Sequence, residues 1–344
     1  MTIHAAASLA DVARRAGVSL STASRALNNA YGVSVGTRAR VLESAHALDF
    51  VVSPDARRLA TGTTGRVALV VPHLDRWFFG QITSGIERVL SQANLDVLLY
   101  HVDDEQHRRE FLTKLPARRK VDAVVIVAFP VTEEDQTRLE KIGAKIVAAG
   151  SRSNAYPSVG IDDYAAGRLA MDHLLSLGHT RIAMIALRNP DQPDWSTDRD
   201  RAQAYRDALN EHGLPMDPDL VREVELVPAD AAEAIGDILD TAAEPPTAVY
   251  THADELAFGV LRILRNRGHR VPEDISVIGI DDHPMAELLD LTTIAQDVRA
   301  QGATAGRLVL QALGLEPADP GIATTYPISL ILRSSTGRAR TTAL

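Results

Sequence analysis

Residues 8–29 read "SLADVARRAGVSLSTASRALNN", and the fold of the N-terminal region turns on this stretch. Leu9, Val12, Ala13 and Ala16 recur at i, i+3, i+4 and i+7, the spacing of one buried face of a helix. Ser8 stands at the N-cap, and Asp11 three residues later completes a start like a capping box. Gly17 allows the positive φ that ends a helix abruptly. Ser19 can cap a second helix, for which Ala23, Ala26 and Leu27 supply a narrow apolar face. That leaves Leu20, Ser21, Thr22, Ser24 and Arg25 facing outward. A third helix is expected from a Ser34 cap to about Leu48, with Val35, Arg38, Val41, Leu42, Ala45 and Leu48 in phase. Two short helices joined by a glycine turn and braced by a third form a helix-turn-helix. A plain three-helix bundle with a polar face fits the same pattern.

The charge distribution favours the first reading. Across residues 1–65, seven arginines stand against four acidic residues, +3 in all, whereas the whole chain carries −9. A small basic head on a larger acidic body suits a polyanion binder with a separate second domain. In a helix-turn-helix the second helix enters the major groove. Leu20 can press on a thymine methyl, Ser21 can hydrogen-bond bases, and Arg25 can reach a guanine edge or a phosphate. Thr22, Ser24, Thr37 and Arg38 suit phosphate oxygens, and Ser8 and Asn28 complete the expected DNA-binding set.

The chain's 344 residues are 45% hydrophobic and 24% charged, ordinary values for two or three globular domains. The lack of cysteine excludes a disulfide scaffold, a thiolate zinc site and a cysteine nucleophile. The first residues, MTIHAAA, lack a charged n-region and a sustained apolar run, and no stretch is long enough to span a bilayer, so a cytoplasmic protein is expected. From residue 66, the apolar runs "RVALVV", "DVLLY", "VDAVVIV" and "AKIVAAG" read as buried parallel strands, with helices at 79–93 and 133–142. A second series follows: "RIAMIAL", "TAVYT" and "ISVIGI", with helices near 164–177, 200–212, 230–242 and 254–267. Two such series predict an α/β body of two doubly wound lobes, with ligand at the carboxyl ends of the strands. Neither a Walker sequence nor a GxGxxG motif is present, and no cofactor is expected. None of the 11 histidines stands in a GxSxG or HExxH setting. The group His101, Asp103, Asp104 and His107 reads as a solvated acidic loop in preference to a metal site. These features argue against an enzyme.

The opening stretch, followed by "VSVGTRARVLESAHALDFVVSPDARRLATG", resembles the DNA-binding head of the LacI/GalR family of bacterial repressors. The body resembles the same family in "IDDYAAGRLAMDHLLSLGHTRIAMI", "PTAVYTHADELAFGVLRILRNRGHRVPEDISVIGIDD" and "LTTIAQDVRAQGATAG". The resemblance implies a helix-turn-helix head at 1–50, a hinge helix and linker at 51–65, and a periplasmic-binding-protein-like (type I) core at 66–333. Lobe 1 is then about 66–161 and 293–323, lobe 2 about 162–291 and 324–333, with a flexible tail at 334–344. In the hinge "PDARRLA", Ala56 would allow two hinge helices to approach, Leu59 would wedge into the minor groove at a central CG step, and Arg57 would pair with phosphate. Here the family's usual proline is replaced by Val52 and its asparagine by Ser53, and proline stands at 54.

The resemblance also implies an effector between the lobes, usually a sugar or nucleobase. Arg201 in "RAQAY", Asp281 in "GIDD" and the pair Phe78 and Phe79 match the family's effector contacts. Asp254 lies at a strand end, where it could contact ligand or cap the next helix, and Trp195 could supply a stacking face. The implied function is a homodimeric, ligand-responsive repressor on near-palindromic double-stranded operator DNA. A corepressor of opposite sign, or an activator responding to a nucleobase or other metabolite, would use the same residues. The tail has no leucine heptads, which argues against a tetramerisation helix.

Overall fold

The computed structural model describes residues 7–27, 31–50, 63–102, 106–107, 110–111, 121–128, 137, 141, 143–153, 155–188, 196–318 and 323–340. The chain divides into two compact units, residues 1–65 and 66–344.

In the first unit, helices α1 (Leu9–Ala16), α2 (Leu20–Leu27) and α3 (Val35–Ala47) form the expected bundle. The Ser8 hydroxyl accepts from the Asp11 N–H while the Asp11 carboxylate accepts from the Ser8 N–H, a complete capping box. Gly17 adopts φ 67°, so its N–H turns back to the carbonyls of α1. Ser19 caps α2 by accepting from the Thr22 N–H at 3.1 Å, and Ser34 caps α3 through the Thr37 N–H at 3.2 Å. Val12, Ala13, Ala16, Ala23, Ala26, Val41 and Ala45 form the buried core, whose small side chains let three short helices pack closely.

The second unit holds two six-stranded sheets. One runs in the order β11-β5-β4-β3-β1-β2 and the other β12-β10-β9-β8-β6-β7. In the first, β1 (Arg66–Val71), β2 (Asp96–His101), β3 (Ala123–Val127), β4 (Lys145–Ala149), β5 (Ser158–Gly160) and β11 (Ala323–Thr325) are all parallel. The second comprises β6 (Ile182–Leu187), β7 (Val221–Val224), β8 (Ala248–Thr251), β9 (Ser276–Asp281), β10 (Thr292–Gln296) and β12 (Ile328–Ile331). It is parallel except for β12, which runs against β10. Runs such as "RVALVV" and "AVVIV" are buried on both faces, one face in a cluster with Ile82 and Val309 and the other in a cluster with Val102 and Phe111, so they lack polar alternation.

Helices α4 (Trp77–Gln92) and α10 (Val298–Ala312) pack together on the first sheet, whose core contains Ile82, Ile86, Val298 and Ala305. Their contact needs glycine: a Cβ at Gly85 would collide with the Arg299 carbonyl, and one at Gly302 with that of Ile82. The second sheet is covered by α5 (Asp163–Ser176), α6 (Ser196–Glu211), α7 (Pro228–Thr241) and α8 (Asp254–Asn266), with the short α9 (Pro284–Leu288) after β9.

Two expectations need revision, and two others fall outside the described residues. The strand at 292–296 pairs with β9 and β12, so it belongs to the second sheet, although a boundary at 293 would place most of it in the first lobe. The chain passes to the first lobe after β10, into α10, because it is α10 and not β10 whose apolar face meets α4. Residues 334–340 are packed and do not form a flexible tail. Ser335 is buried, donates to the Val277 carbonyl at 2.6 Å and accepts from the Thr292 N–H at 2.8 Å. The Ala339 N–H donates to Leu177 and the Arg340 Nε to Glu273. The short strands β5, β7 and β11, only three or four residues each, carry too little pattern to be read from sequence. The hinge at 51–62 and most of the 133–142 helix lie outside the described residues.

Candidate functional site

On the head, α2 turns Ala23 and Ala26 inward and leaves Leu20, Ser21 and Arg25 exposed, with Ser24 half-buried beside them. Thr22 is half-buried, and its hydroxyl lies 2.8 Å from that of Ser19. The Ser8 hydroxyl is likewise engaged, donating to the Asp11 carboxylate at 2.6 Å. Thr37 and Arg38 open α3, both half-buried. The Arg25 guanidinium donates to the Tyr31 carbonyl at 2.8 Å. Asn28, Ala56, Arg57 and Leu59 lie outside the described residues.

Between the two sheets of the second unit lies a cavity of about 380 Å³. Its walls come from the carboxyl ends of the strands: Pro72 and His73 follow β1, Ala128 follows β3, Gly150 follows β4, and Arg188 follows β6. Glu225, Leu226 and Val227 follow β7, Ala253 follows β8, Asp281 ends β9 and Gln296 ends β10. This is where a parallel sheet leaves its unpaired backbone and its loops.

Phe78 and Phe79, in the first turn of α4, line the cavity from the first lobe, with ring centroids 5.3 Å apart and planes at 80°. Phe78 also lies against Gly150, where a Cβ would come within 2.9 Å of its ring. Opposite them, Arg201 on α6 is 5% exposed. Its Nε and Nη2 donate to Asp163 Oδ1 at 3.0 and 2.8 Å, and its Nη1 donates to the His252 carbonyl. Burial disfavours the guanidinium charge, but the Asp163 and Asp281 carboxylates more than offset this and raise its pKa. The Thr197 hydroxyl donates to the other Asp163 oxygen at 3.2 Å.

Asp281 accepts from Gln296 Nε2 at 2.7 Å, and Gln296 in turn accepts from Gln301 at 2.9 Å. Its backbone sits at φ 130°, a conformation that favours glycine. Burial pushes its carboxyl above the usual range, against the pull of Arg201. Asp198, in the first turn of α6, also lines the cavity, and burial pushes it up to about 7. Together these groups present hydrogen-bond donors and acceptors across from aromatic faces, the arrangement that orients a small polar ligand.

Asp254 has a different place. It is wholly buried outside the cavity lining, accepting from the Thr293 hydroxyl at 2.7 Å and the His283 N–H at 2.8 Å. It ties α8 to the turn after β9 and is not among the residues that line the cavity. Its neighbour Glu255 reaches the other lobe, accepting from the Trp77 N–H at 3.1 Å and lying 3.7 Å from the Arg76 guanidinium. The Trp77 ring also meets His283, with centroids 4.9 Å apart.

Residues 8–53 match the family described as bacterial regulatory proteins, lacI family, and residues 171–336 match the periplasmic binding protein-like domain. The HTH-type transcriptional regulator DegA of Bacillus subtilis (strain 168) is 32% identical over 310 residues, 86% of this chain and 90% of the relative. This chain belongs to the LacI family.

Among solved structures, the lac repressor dimer bound to operator and the anti-inducer ONPF is similar, with a TM-score of 0.83, 26% identity, and coverage of 97% of this chain and 100% of that one. A LacI family transcriptional regulator from Enterococcus faecium with bound ribose has a TM-score of 0.69 and 30% identity, covering 80% of this chain and 100% of the other. As a LacI-family member, the protein is a DNA-binding transcriptional regulator and not an enzyme. No helix among the described residues is long and apolar enough to cross a membrane. Of the cleft residues expected from the LacI resemblance, Phe78, Phe79, Arg201 and Asp281 are brought together, and Trp195 lies outside the described residues. Asp163, Thr197, Asp198 and Gln296 were missed. Asp163 and Gln296 sit inside the family-like "IDDYAAG" and "TIAQDV", the one signal that pointed toward them.

Proposed function

We propose that the protein is a homodimeric transcriptional repressor whose hold on operator DNA is controlled by a sugar bound between the lobes. The observation that carries this reading is the cleft itself. Phe78 and Phe79 can cover the C–H face of a pyranose or furanose, while Arg201, Asp281 and Gln296 meet its hydroxyls. The ribose complex of the Enterococcus faecium regulator supports a sugar as the ligand class. The lac repressor dimer on its operator supports a dimer on DNA.

In this reading the outward face of α2 reads a near-palindrome, with Leu20, Ser21 and Arg25 on base edges. Thr22, Ser24, Thr37 and Arg38 hold phosphates, and Ser8 and Asn28 flank them. Paired hinge segments place Ala56 and Leu59 at a central CG step, with Arg57 on phosphate. Sugar binding changes the closure of the lobes, which disfavours the DNA-bound hinge and releases the operator. For this to work the sugar must bind the two states with different affinity.

Selection of randomised duplexes by the ligand-free protein tests the reading. A palindrome centred on CG is expected, with enrichment lost when pooled sugars are added. Enrichment that appears only with sugars or nucleobases present would replace induction by corepression, and none under any condition would remove the DNA-reading role of α2.

A further inference from the structure

The turn after β9 has an uncommon backbone. Asp281 sits at φ 130° and Asp282 at φ 57°, consecutive non-glycine residues in conformations that L side chains rarely adopt. Such a turn persists only where its surroundings over-determine it. Here they are side chains from three other segments. Asp254, at the start of α8, accepts from the His283 N–H at 2.8 Å through one carboxylate oxygen and from the Thr293 hydroxyl at 2.7 Å through the other. With its hydrogen committed to Asp254, the Thr293 hydroxyl accepts from the Asp282 N–H at 3.4 Å. Arg333, beyond β12, donates to the Asp282 carboxylate at 2.7 Å and to the Leu291 carbonyl at 2.8 Å. Gly279 on β9 leaves room for this brace, because a Cβ there would collide with the Asp254 carboxylate.

Asp254 and Thr293 are both fully buried, so water cannot replace a bond that either loses. What the turn carries gives the brace its consequence. At one end the Asp281 carboxylate lines the cleft and accepts from Gln296 at 2.7 Å. Two residues on, the His283 ring meets Trp77 of the first lobe, with centroids 4.9 Å apart. One short, braced turn therefore joins a cleft-lining carboxylate to a contact between the lobes.

Resting on the reading of the cleft as the effector site, we propose that Asp254 and Thr293 are positioning residues. They hold the Asp281–His283 turn as one rigid unit, with Asp281 against the effector and His283 against Trp77, and so couple effector binding to lobe closure.

Thr293→Val removes the hydroxyl at nearly constant volume, whereas Thr293→Ser keeps it. The chain has two tryptophans, so in a Trp195→Phe background the emission of Trp77 reports on His283 in the ligand-free, full-length protein. There Thr293→Val should shift the emission toward that of His283→Ala, and Thr293→Ser should leave it unchanged. With Trp195 in place, the concentration of pooled sugars that half-releases operator should rise about tenfold for Thr293→Val, equivalent to losing about one hydrogen bond. Thr293→Ser should stay close to wild type. If Thr293→Val does not fold, Asp254→Asn takes its place with the same expectations, since its single oxygen cannot meet both donors. A folded variant in which either the emission or the release curve matches wild type overturns the inference and leaves the effector reading standing. If no sugar releases operator from the wild type, the effector reading falls, and a shifted emission still upholds the hold on the lobe contact.

Discussion

Asp281 shows how a single residue lines the cleft at the expense of backbone comfort. A non-glycine residue at φ 130° costs roughly 1–3 kcal/mol, and the fold keeps it where the carboxylate ends β9 facing the cleft. Asp281→Gly and Asp281→Asn should both weaken effector binding by about tenfold or more. The glycine variant should nevertheless be about 1 kcal/mol more stable than the asparagine variant by urea unfolding, because only it relieves the backbone. Equal stabilities would show that the turn stores no strain. Asp198 makes a pH-dependent contribution. Folding raises its carboxyl from an unfolded value of about 3.9 to about 7 through burial. Its contribution to stability is then full below about pH 4 and lost as pH rises through about 7. Melting temperatures of the ligand-free protein should decline over that window, and Asp198→Asn should flatten the decline. Parallel curves for the two proteins would assign the slope elsewhere.

At the scale of elements, helix α4 starts without a cap from its own lobe. Arg76 occupies the N-cap position with no side-chain hydrogen bond to the helix, and the Trp77 N–H is satisfied by Glu255 from the first turn of α8 in the other lobe. The same turn of α4 carries Phe78 and Phe79 into the cleft. A change in lobe closure on ligand binding would bear on both the aromatic wall and this cap. Glu255→Ala should cost about 1 kcal/mol of stability, the usual value of a lost N-terminal cap. It should also shift the effector concentration for half-release of operator by about fivefold, measured by anisotropy of a labelled duplex. Glu255→Gln, which keeps an acceptor oxygen for Trp77, should do less. An unchanged release curve for the alanine variant would remove the contact from the allosteric path.

At the scale of the whole second unit, the C-terminal residues close the second sheet. Ser335 is 2% exposed and bridges the Val277 carbonyl and the Thr292 N–H. Leaving those backbone groups buried and unpaired costs about 1–3 kcal/mol. Ser335→Ala should therefore destabilise the protein by that amount, measured by denaturant unfolding, and truncation at 333 should cost more. A truncated protein as stable as the full chain would show that this strap contributes nothing.

The helix-turn-helix was legible because its determinants are local: Ser8 and Asp11, Gly17 and the alanines of α2 act within a few residues of one another. Six of the seven apolar runs of the body were legible for a related reason, whereas "DVLLY", expected as a buried strand, forms the edge strand β2 with Leu99 48% exposed. Strands buried on both faces need uninterrupted apolar residues, whatever packs on them. Pairing was not legible. The assignment of Thr292–Gln296 to the second sheet depends on β9 and β12, and the docking of Ser334–Arg340 depends on Val277 and Thr292, partners that local pattern does not specify. The cleft divides in the same way. Arg201 and Asp281 stood in recognisable segments. The pair of Arg201 hydrogen bonds to one Asp163 oxygen, the tie of Asp254 to Thr293 and the reach of Glu255 into the other lobe join residues 38, 39 and 178 positions apart. The first two exist only once the second sheet has formed and the third only once both lobes have, so the tertiary structure alone decided them.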